Sequence, residues 1–387
     1  MRVITLWLKK NPPAVYETAF AYRYCYQKTI ELLSTPVLSI AEKASVGSVQ
    51  ALLKKKGAQA ALVVTDPETV ISPKALEILC IHSSNADLVG PMFNETTFPA
   101  QQVILPFPYL DAFTFVETAA ELAKEHGKKT VAVSALDPTC FLLTAKTLAQ
   151  LPSDILLEEI PALPGLTKLV ALGALVHRFG NYYASAREDL VALVPKEASK
   201  ILDIGCAKGG FGHTLKKRRP GIYLVGVELN TILAKKALQI YDLVITDPIE
   251  KACLPHDFDL VNMGDVLEHL YDPWEVLSKI ARLLRPGGWL IGSVPNANHW
   301  TILRQLLLGE FEYIPVGLLC ISHIRFFTEK TLKKALREAG FVLETLEHQK
   351  FSPTPEGKEF IQKLLSQGLG DEESLLTAEL VFRAQKK

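Results

Sequence analysis

Along the second half of this chain, short apolar runs alternate with stretches whose apolar residues recur every three or four positions. Runs of the first kind read as buried strands and those of the second as amphipathic helices. The spacing predicts strand 200–204, helix 209–218, strand 222–227, helix 231–240, strands 242–245 and 258–262, helix 273–284, strand 289–294, helix 329–339, and strands near 341–347 and 377–384. Asp272 is placed to cap the helix that Pro273 opens, and Val276, Leu277, Ile280, Leu283 and Leu284 form one apolar face. Strands alternating with helices imply a mostly parallel sheet whose ligand crevice lies at the strand C-termini.

The first half is α/β in character but less regular. Strands are expected at 3–6, 60–64 and 130–133, and helices near 48–56, 72–80 and 116–126, with irregular stretches at 91–112 and 151–166. Pro152, Pro161, Pro164 and Gly165 mark the place where structure should loosen. A helix is then expected over 181–194, stopped by Pro195. The expected division is a domain at 1–165, a bridging segment with a lid helix at 166–195, and a second domain at 196–387.

Composition changes this picture little but excludes much. A chain of 387 residues is long enough for two domains, and 48% hydrophobic residues rule out disorder as its main state. Lys plus Arg and Asp plus Glu are 42 each, so no global field draws polyanions, and nucleic acid is not an expected partner. The six cysteines are scattered without a Cys-x-x-Cys pair, as reduced thiols in a cytoplasmic protein would be. No segment reaches about 18 uninterrupted apolar residues, so no membrane span is expected.

Candidate chemistry begins where the strand Ile201-Leu202-Asp203-Ile204 runs into Gly205-Cys206-Ala207-Lys208-Gly209-Gly210. Small residues at such an elbow let a ligand approach the backbone. Gly205, Ala207 and Gly210 approximate a dinucleotide fingerprint, but Asp203 stands two residues before the first glycine. A carboxylate there would repel a pyrophosphate and attract an ammonium or sulfonium cation, which S-adenosylmethionine carries and NAD(P) does not. Glu228 ends the next strand, where it can accept both ribose hydroxyls. Asp247 follows the strand after that and can accept the adenine amino group, with Ile249 or Pro248 covering the ring.

These residues belong to a longer series. The run 202–209, with Gly226-Val227-Glu228, Thr246-Asp247, Gly264-Asp265-Val266-Leu267-Glu268-His269, Leu284-Arg285-Pro286-Gly287-Gly288 and Phe326-Phe327-Thr328, resembles the class I S-adenosylmethionine-dependent methyltransferases over about 190 residues. The resemblance implies a seven-stranded Rossmann-like sheet with an antiparallel last strand. It also implies a cofactor site built from Asp203, Gly205, Ala207, Gly209, Glu228, Asp247, Ile249 and Gly264. Tyr183 and Arg187, one helical turn apart, are expected to meet the cofactor's methionine end, Arg187 pairing with its carboxylate. Ala207 replaces a common glycine, and Cys320-Ile321 stand where many relatives have an acidic-basic pair.

Methyl transfer to a hydroxyl or amine requires loss of a proton near the methyl group. His269 and His323 are the candidate bases. His269 also reads as an organiser of its loop, beside Glu268.

In the first half, an apolar strand ends in Thr65-Asp66-Pro67-Glu68. Two carboxylates one residue apart can hold a divalent ion bridging a nucleotide diphosphate, or simply open a helix. The segment resembles the Asp-x-Asp region of GT-A, family 2-type glycosyltransferases, and His177-Arg178-Phe179-Gly180 resembles the segment near that domain's end. The resemblance implies a reduced glycosyltransferase-like domain that orients a glycan. The leading expectation is methylation of an oxygen or nitrogen on a glycan or nucleotide-sugar-related acceptor. The alternatives are a bifunctional glycosyltransferase/methyltransferase, an NAD(P)-dependent oxidoreductase, and a non-catalytic cofactor-binding module.

Overall fold

Seven strands of the second half assemble because each buries alternate residues on opposite faces of one sheet. They are β9 (Lys200–Ile204), β10 (Tyr223–Val227), β11 (Leu243–Ile245), β12 (Phe258–Gly264), β13 (Leu284–Pro295), β14 (Phe341–Lys350) and β15 (Thr377–Lys386). Leu202, Val225, Val261, Leu290 and Phe382 enter one core with Val276, Leu277 and Ile280 of the helix Pro273–Leu283. Their chain neighbours Ile201, Leu224, Leu260, Ile291 and Val381 enter the other, with Leu190, Phe211 and Leu215. Each fully buried aliphatic side chain contributes about 1.5–3 kcal/mol.

The sheet order is β11-β10-β9-β12-β13-β15-β14. Strands β9 to β13 run parallel, and β15 is antiparallel to both β13 and β14. This is the seven-stranded arrangement with an inserted antiparallel last strand that the resemblance implied. Pro295 of β13 is in register with Glu379, so the start of β15 lies at the edge where β13 ends.

The structure is a computed structural model and describes residues 1–10, 16–105, 109–179 and 186–387. They divide into two units, residues 1–180 and 181–387. The first unit holds β1 (Val3–Lys9), β2 (Val37–Ala41), β3 (Ala60–Val64), β4 (Thr69–Ile71), β5 (Leu88–Phe93), β6 (Thr130–Ala132), β7 (Cys140–Thr144) and β8 (Lys168–Arg178). Its mixed sheet has the order β2-β1-β3-β7-β5-β8-β4, with β6 also on β8. Among the described residues, no helix is long and apolar enough to cross a membrane.

Two sequence expectations change. Residues 168–178, expected in a bridge, form the longest strand of the first sheet, pairing with β5, β4 and β6. Val170, Ala171, Ala174, Leu175 and Val176 are fully buried there, and the bare backbone of Gly173 packs on Gly127. The first unit therefore extends to 180, past the proline-rich stretch. The helix expected over 181–194 is helical only at Glu188–Ala192, while 181–185 lie outside the described residues.

Close packing in the second sheet gives a test. A Cβ on Gly292 would stand 2.7 Å from the Met263 carbonyl oxygen and 2.9 Å from the Phe382 ring, whereas one on Gly221 would meet nothing within 4 Å. Gly292→Ala should destabilise the second unit by about 1–3 kcal/mol and Gly221→Ala by under about 0.5 kcal/mol. Calorimetric unfolding of the full chain checks both.

Candidate functional site

After β9 the chain reverses through Gly205, Ala207 and Gly209, with φ of 73°, 47° and 89°, into the helix Gly210–Arg218. The left-handed conformation is free for glycine but costs Ala207 about 1–2 kcal/mol. Local bonds hold the turn. Gly205 and Cys206 N–H both donate to the Val227 carbonyl at 2.8 and 3.1 Å, and Ala207 N–H donates to Glu228 Oε2 at 2.9 Å. Glu228 Oε1 accepts from Asn230 N–H at 2.7 Å, and burial pushes this carboxyl above its ordinary range. A carboxylate oxygen can accept more than one bond, so Glu228 retains capacity for hydroxyl donors.

Asp203 is not presented to a ligand as expected. It is 2% exposed. The Tyr241 hydroxyl donates to one of its oxygens, and the Asn262 amide donates to the other at 2.7 Å. Tyr241 also accepts from Gly212 N–H at 3.1 Å, so Asp203 braces the helix behind the turn. Its carboxylate is oriented inside the sheet, where Asn262 lies in register with it on β12. Burial raises Asp203 to about 6, against the pull of the Tyr241 and Asn262 bonds. Sequence reasoning missed both partners because neither falls in the turn motif.

Arg187 is likewise committed within the protein. It contacts Asp189 at 2.7 Å, Glu379 at 2.8 Å, and Asp265. It also donates to the Ser293 hydroxyl at 3.0 Å. The expected pairing with a cofactor carboxylate gives way to an internal ionic hub in which three acids surround one guanidinium. Burial, reinforced by Asp265, raises Glu379 to about 8. Gly264 serves the same assembly, since a Cβ there would stand 2.4 Å from Leu190 Cδ1. Tyr183 lies outside the described residues.

Beyond β12, a short 3-10 turn, Leu267–His269, carries Glu268 and His269. The Glu268 carbonyl accepts Ile324 N–H at 2.9 Å and Arg325 N–H at 3.0 Å. That tether brings in His323, and the two rings stand edge to face with centroids 4.8 Å apart. His269 Nδ1 is 3.0 Å from the Ser322 carbonyl, and His323 Nδ1 is 3.0 Å from that of Leu318. A carbonyl only accepts, so in each neutral ring Nδ1 carries the proton and Nε2 the lone pair. Burial, with His269 beside it, lowers His323 to about 4. Glu268 is 1% exposed, and among the described residues neither of its carboxylate oxygens has a hydrogen-bond partner. Burial and the nearby Asp265 raise it well above the carboxylate range. A neutral imidazole whose Nδ1–H is fixed to a backbone carbonyl can receive a proton at Nε2.

Elsewhere the expected positions are simpler. Asp247 is exposed after β11, and Ile249 is buried in the sheet core. In the first unit, Asp66 pairs with Arg178 at 2.9 Å and accepts Glu68 N–H at 3.0 Å. The cation expected beside Asp66 is thus met by a guanidinium, which also reaches Asp137 at 3.4 Å. Burial raises Glu68, and His177 is buried with Nδ1 2.6 Å from the Tyr109 hydroxyl.

Comparison with known proteins places the second unit in a class. The family described as "Methyltransferase domain" matches residues 175–346. The ubiquinone biosynthesis O-methyltransferase of Chromobacterium violaceum is 30% identical over 168 residues, covering 40% of this chain and 69% of that protein. The protein of the same name from Thiobacillus denitrificans is 29% identical over 174 residues, covering 41% and 71%. A solved S-adenosylmethionine-dependent methyltransferase from Thermotoga maritima, described as a possible histamine N-methyltransferase, is 22% identical, covers 53% of this chain and 89% of that one, and has a TM-score of 0.39. The chain belongs, through its second unit, to the S-adenosylmethionine-dependent methyltransferases, and it is an enzyme of that class.

The buried Asp203 yields a signed pH prediction. Its folded value of about 6 lies above the ordinary 3.8, so its destabilising cost is fully present above about 6 and is lost below about 4. Wild type should therefore gain stability relative to Asp203→Asn, on the order of 1 kcal/mol, as pH falls from 7 to 5. Melting temperatures across that range check this, and a constant difference contradicts it.

Proposed function

We propose that the second unit methylates a hydroxyl oxygen held at the Glu268–His269–His323 cluster, and that this hydroxyl belongs to a sugar or glycan. The observation that carries the reading is the convergence of two backbone-fixed imidazoles and a buried carboxylate beyond β12, at the same sheet edge as the Gly205–Gly209 turn. The names of the curated relatives favour oxygen over nitrogen as acceptor.

The residues fit an adenosyl cofactor. Glu228 is oriented for ribose hydroxyls by two backbone N–H groups, and the turn presents little more than backbone at Gly205 and Gly209. Asp247 is an acceptor for the adenine amino group, with Ile249 as apolar wall. When bound, S-adenosylmethionine supplies a methyl group already activated on a sulfonium sulfur. The chain's own task is then to orient the acceptor, exclude water and take its proton. Nε2 of His323 or His269 takes that proton, with Nδ1–H anchored to a backbone carbonyl.

The glycan reading draws on the first unit. Its parallel β2-β1-β3 run is followed by an antiparallel β7, with Asp66 just after β3, and this is compatible with a reduced glycosyltransferase-like module. In this reading the unit binds glycan, because the Asp66–Arg178 pair leaves Asp66 less suited to a catalytic metal.

Incubation with methyl-labelled cofactor and a panel of sugars, glycans, nucleotide sugars, phenols and amines tests the proposal by mass spectrometry. Methylation of sugar hydroxyls is expected. Products confined to amines would overturn the oxygen assignment, and products confined to phenols the glycan one. His323→Ala and His269→Ala should lower kcat by about 10²–10⁴ for whichever ring is the base, with cofactor Kd changed less than about threefold.

A further inference from the structure

We propose that Lys279 is a positioning residue that sets the preference for the adenine ring, by fixing the loop that carries Asp247 and Ile249. This rests on the cofactor reading above and adds to it a residue from outside the cofactor motifs.

The loop begins at an edge of the second sheet. β11 is short, pairs only with β10 and ends at Ile245. Residues 246–257 then form no strand or helix before β12 begins. Ile249 and Ala252 bury their side chains in the core shared with Val276 and Ile280. Such burial fixes where the loop sits but not how its peptide planes are turned, because each plane can rotate about its two flanking soft bonds. Two backbone bonds close one turn, from Lys251 and Ala252 N–H to the Pro248 carbonyl, both at 2.8 Å.

Lys279 supplies the remaining fixture. Its Nζ donates to the Ile249 and Ala252 carbonyls, each at 2.8 Å, and lies 3.4 Å from that of Glu250. No other donor meets these three carbonyls among the described residues. Three carbonyls turned to one point make a small negative socket. An ammonium, with three donors and no acceptor, matches it in charge and in number.

The lysine can hold the loop because its own helix is rigid. The helix Pro273–Leu283 is capped by Asp272, whose side chain accepts Glu275 N–H at 2.9 Å, and it buries Val276, Leu277, Ile280 and Leu283. Over the outer part of the loop, packing does not do the same job. A cavity of about 350 Å³ lies there, with Glu250 and His256 on the loop side and Glu275 and Arg282 on the helix side. Lys279 spans this gap, so a polar link couples the adenine contacts to the rigid part of the fold. A subsite held in place before binding takes its ligand more tightly and more selectively than one ordered by the ligand.

The test is calorimetric titration of the full chain with S-adenosylhomocysteine and S-inosylhomocysteine. Adenine offers Asp247 an amino donor, whereas hypoxanthine puts a carbonyl oxygen in its place. Wild type should favour the adenine compound by about tenfold or more. Lys279→Met keeps the apolar stem and removes the charge and the donors. It should weaken S-adenosylhomocysteine by about tenfold or more and cut the preference to under about threefold. Arg282→Met, on the same cavity wall, should stay within about twofold of wild type in both. The preference is a ratio measured on one sample, so partial unfolding of a variant does not alter it.

Lys279→Met with wild-type affinity and preference overturns the proposal. An equal loss for both compounds with the preference kept also overturns it, since that marks a general loosening of the fold. The cofactor reading fails separately. A wild type that binds neither compound removes that reading, and one indifferent to the base removes Asp247 from it; either result takes the proposal with it.

Discussion

Carboxylates crowd the C-terminal edge of the second sheet, where the half-buried Arg187 guanidinium answers several of them. Each acid is handled differently. Asp189, Asp265 and Glu379 share Arg187. Asp203 is satisfied by a phenol and an amide, both neutral. Glu228 takes backbone N–H groups, and the Glu268 carboxylate has no hydrogen-bond partner among the described residues. Desolvating several like charges with insufficient countercharge is costly, and burial accordingly raises Asp203, Glu268 and Glu379 above the ordinary carboxylate range.

The sheet makes this crowding possible. Parallel strands end together, so residues just beyond β9, β10, β12 and β13 meet although the chain separates them widely. The inserted β15 adds Glu379 from the opposite direction, opposite Pro295. Bare backbone then permits close approach: Gly264 admits Leu190, which seats the short helix following Arg187, and Gly226 admits Cys206 under the turn. The acidic edge is thus a product of topology and small residues together.

Much of the second unit was legible from periodicity, because strands with alternate faces in two cores leave a strong pattern. The seven-stranded sheet with its antiparallel last strand is what the family resemblance implied. Partnerships were less legible. Asp203 stood out as a charge before a glycine turn, but Tyr241 lies 38 residues on and Asn262 lies 59. Arg187 looked like a cofactor ligand because Glu379, 192 residues distant, leaves no local trace. Asp66 read as a metal ligand for the same reason, its partner Arg178 being 112 residues away. In the first unit, prolines near 151–166 imitated a boundary, while the strand at 168–178 beyond them is buried in the preceding sheet. Glu268 did leave a signal, a charge set among Val266, Leu267 and Leu270, all buried.

In the proposed reaction the C-terminal edge of the second sheet holds the adenosyl cofactor with its reacting sulfur toward Glu268 and His323. A crystal structure of the full chain with S-adenosylhomocysteine tests this directly. The ribose hydroxyls should bond to Glu228 and the sulfur should face the histidine pair. A ribose turned away from Glu228, or a sulfur directed toward β10 and β11, would contradict it.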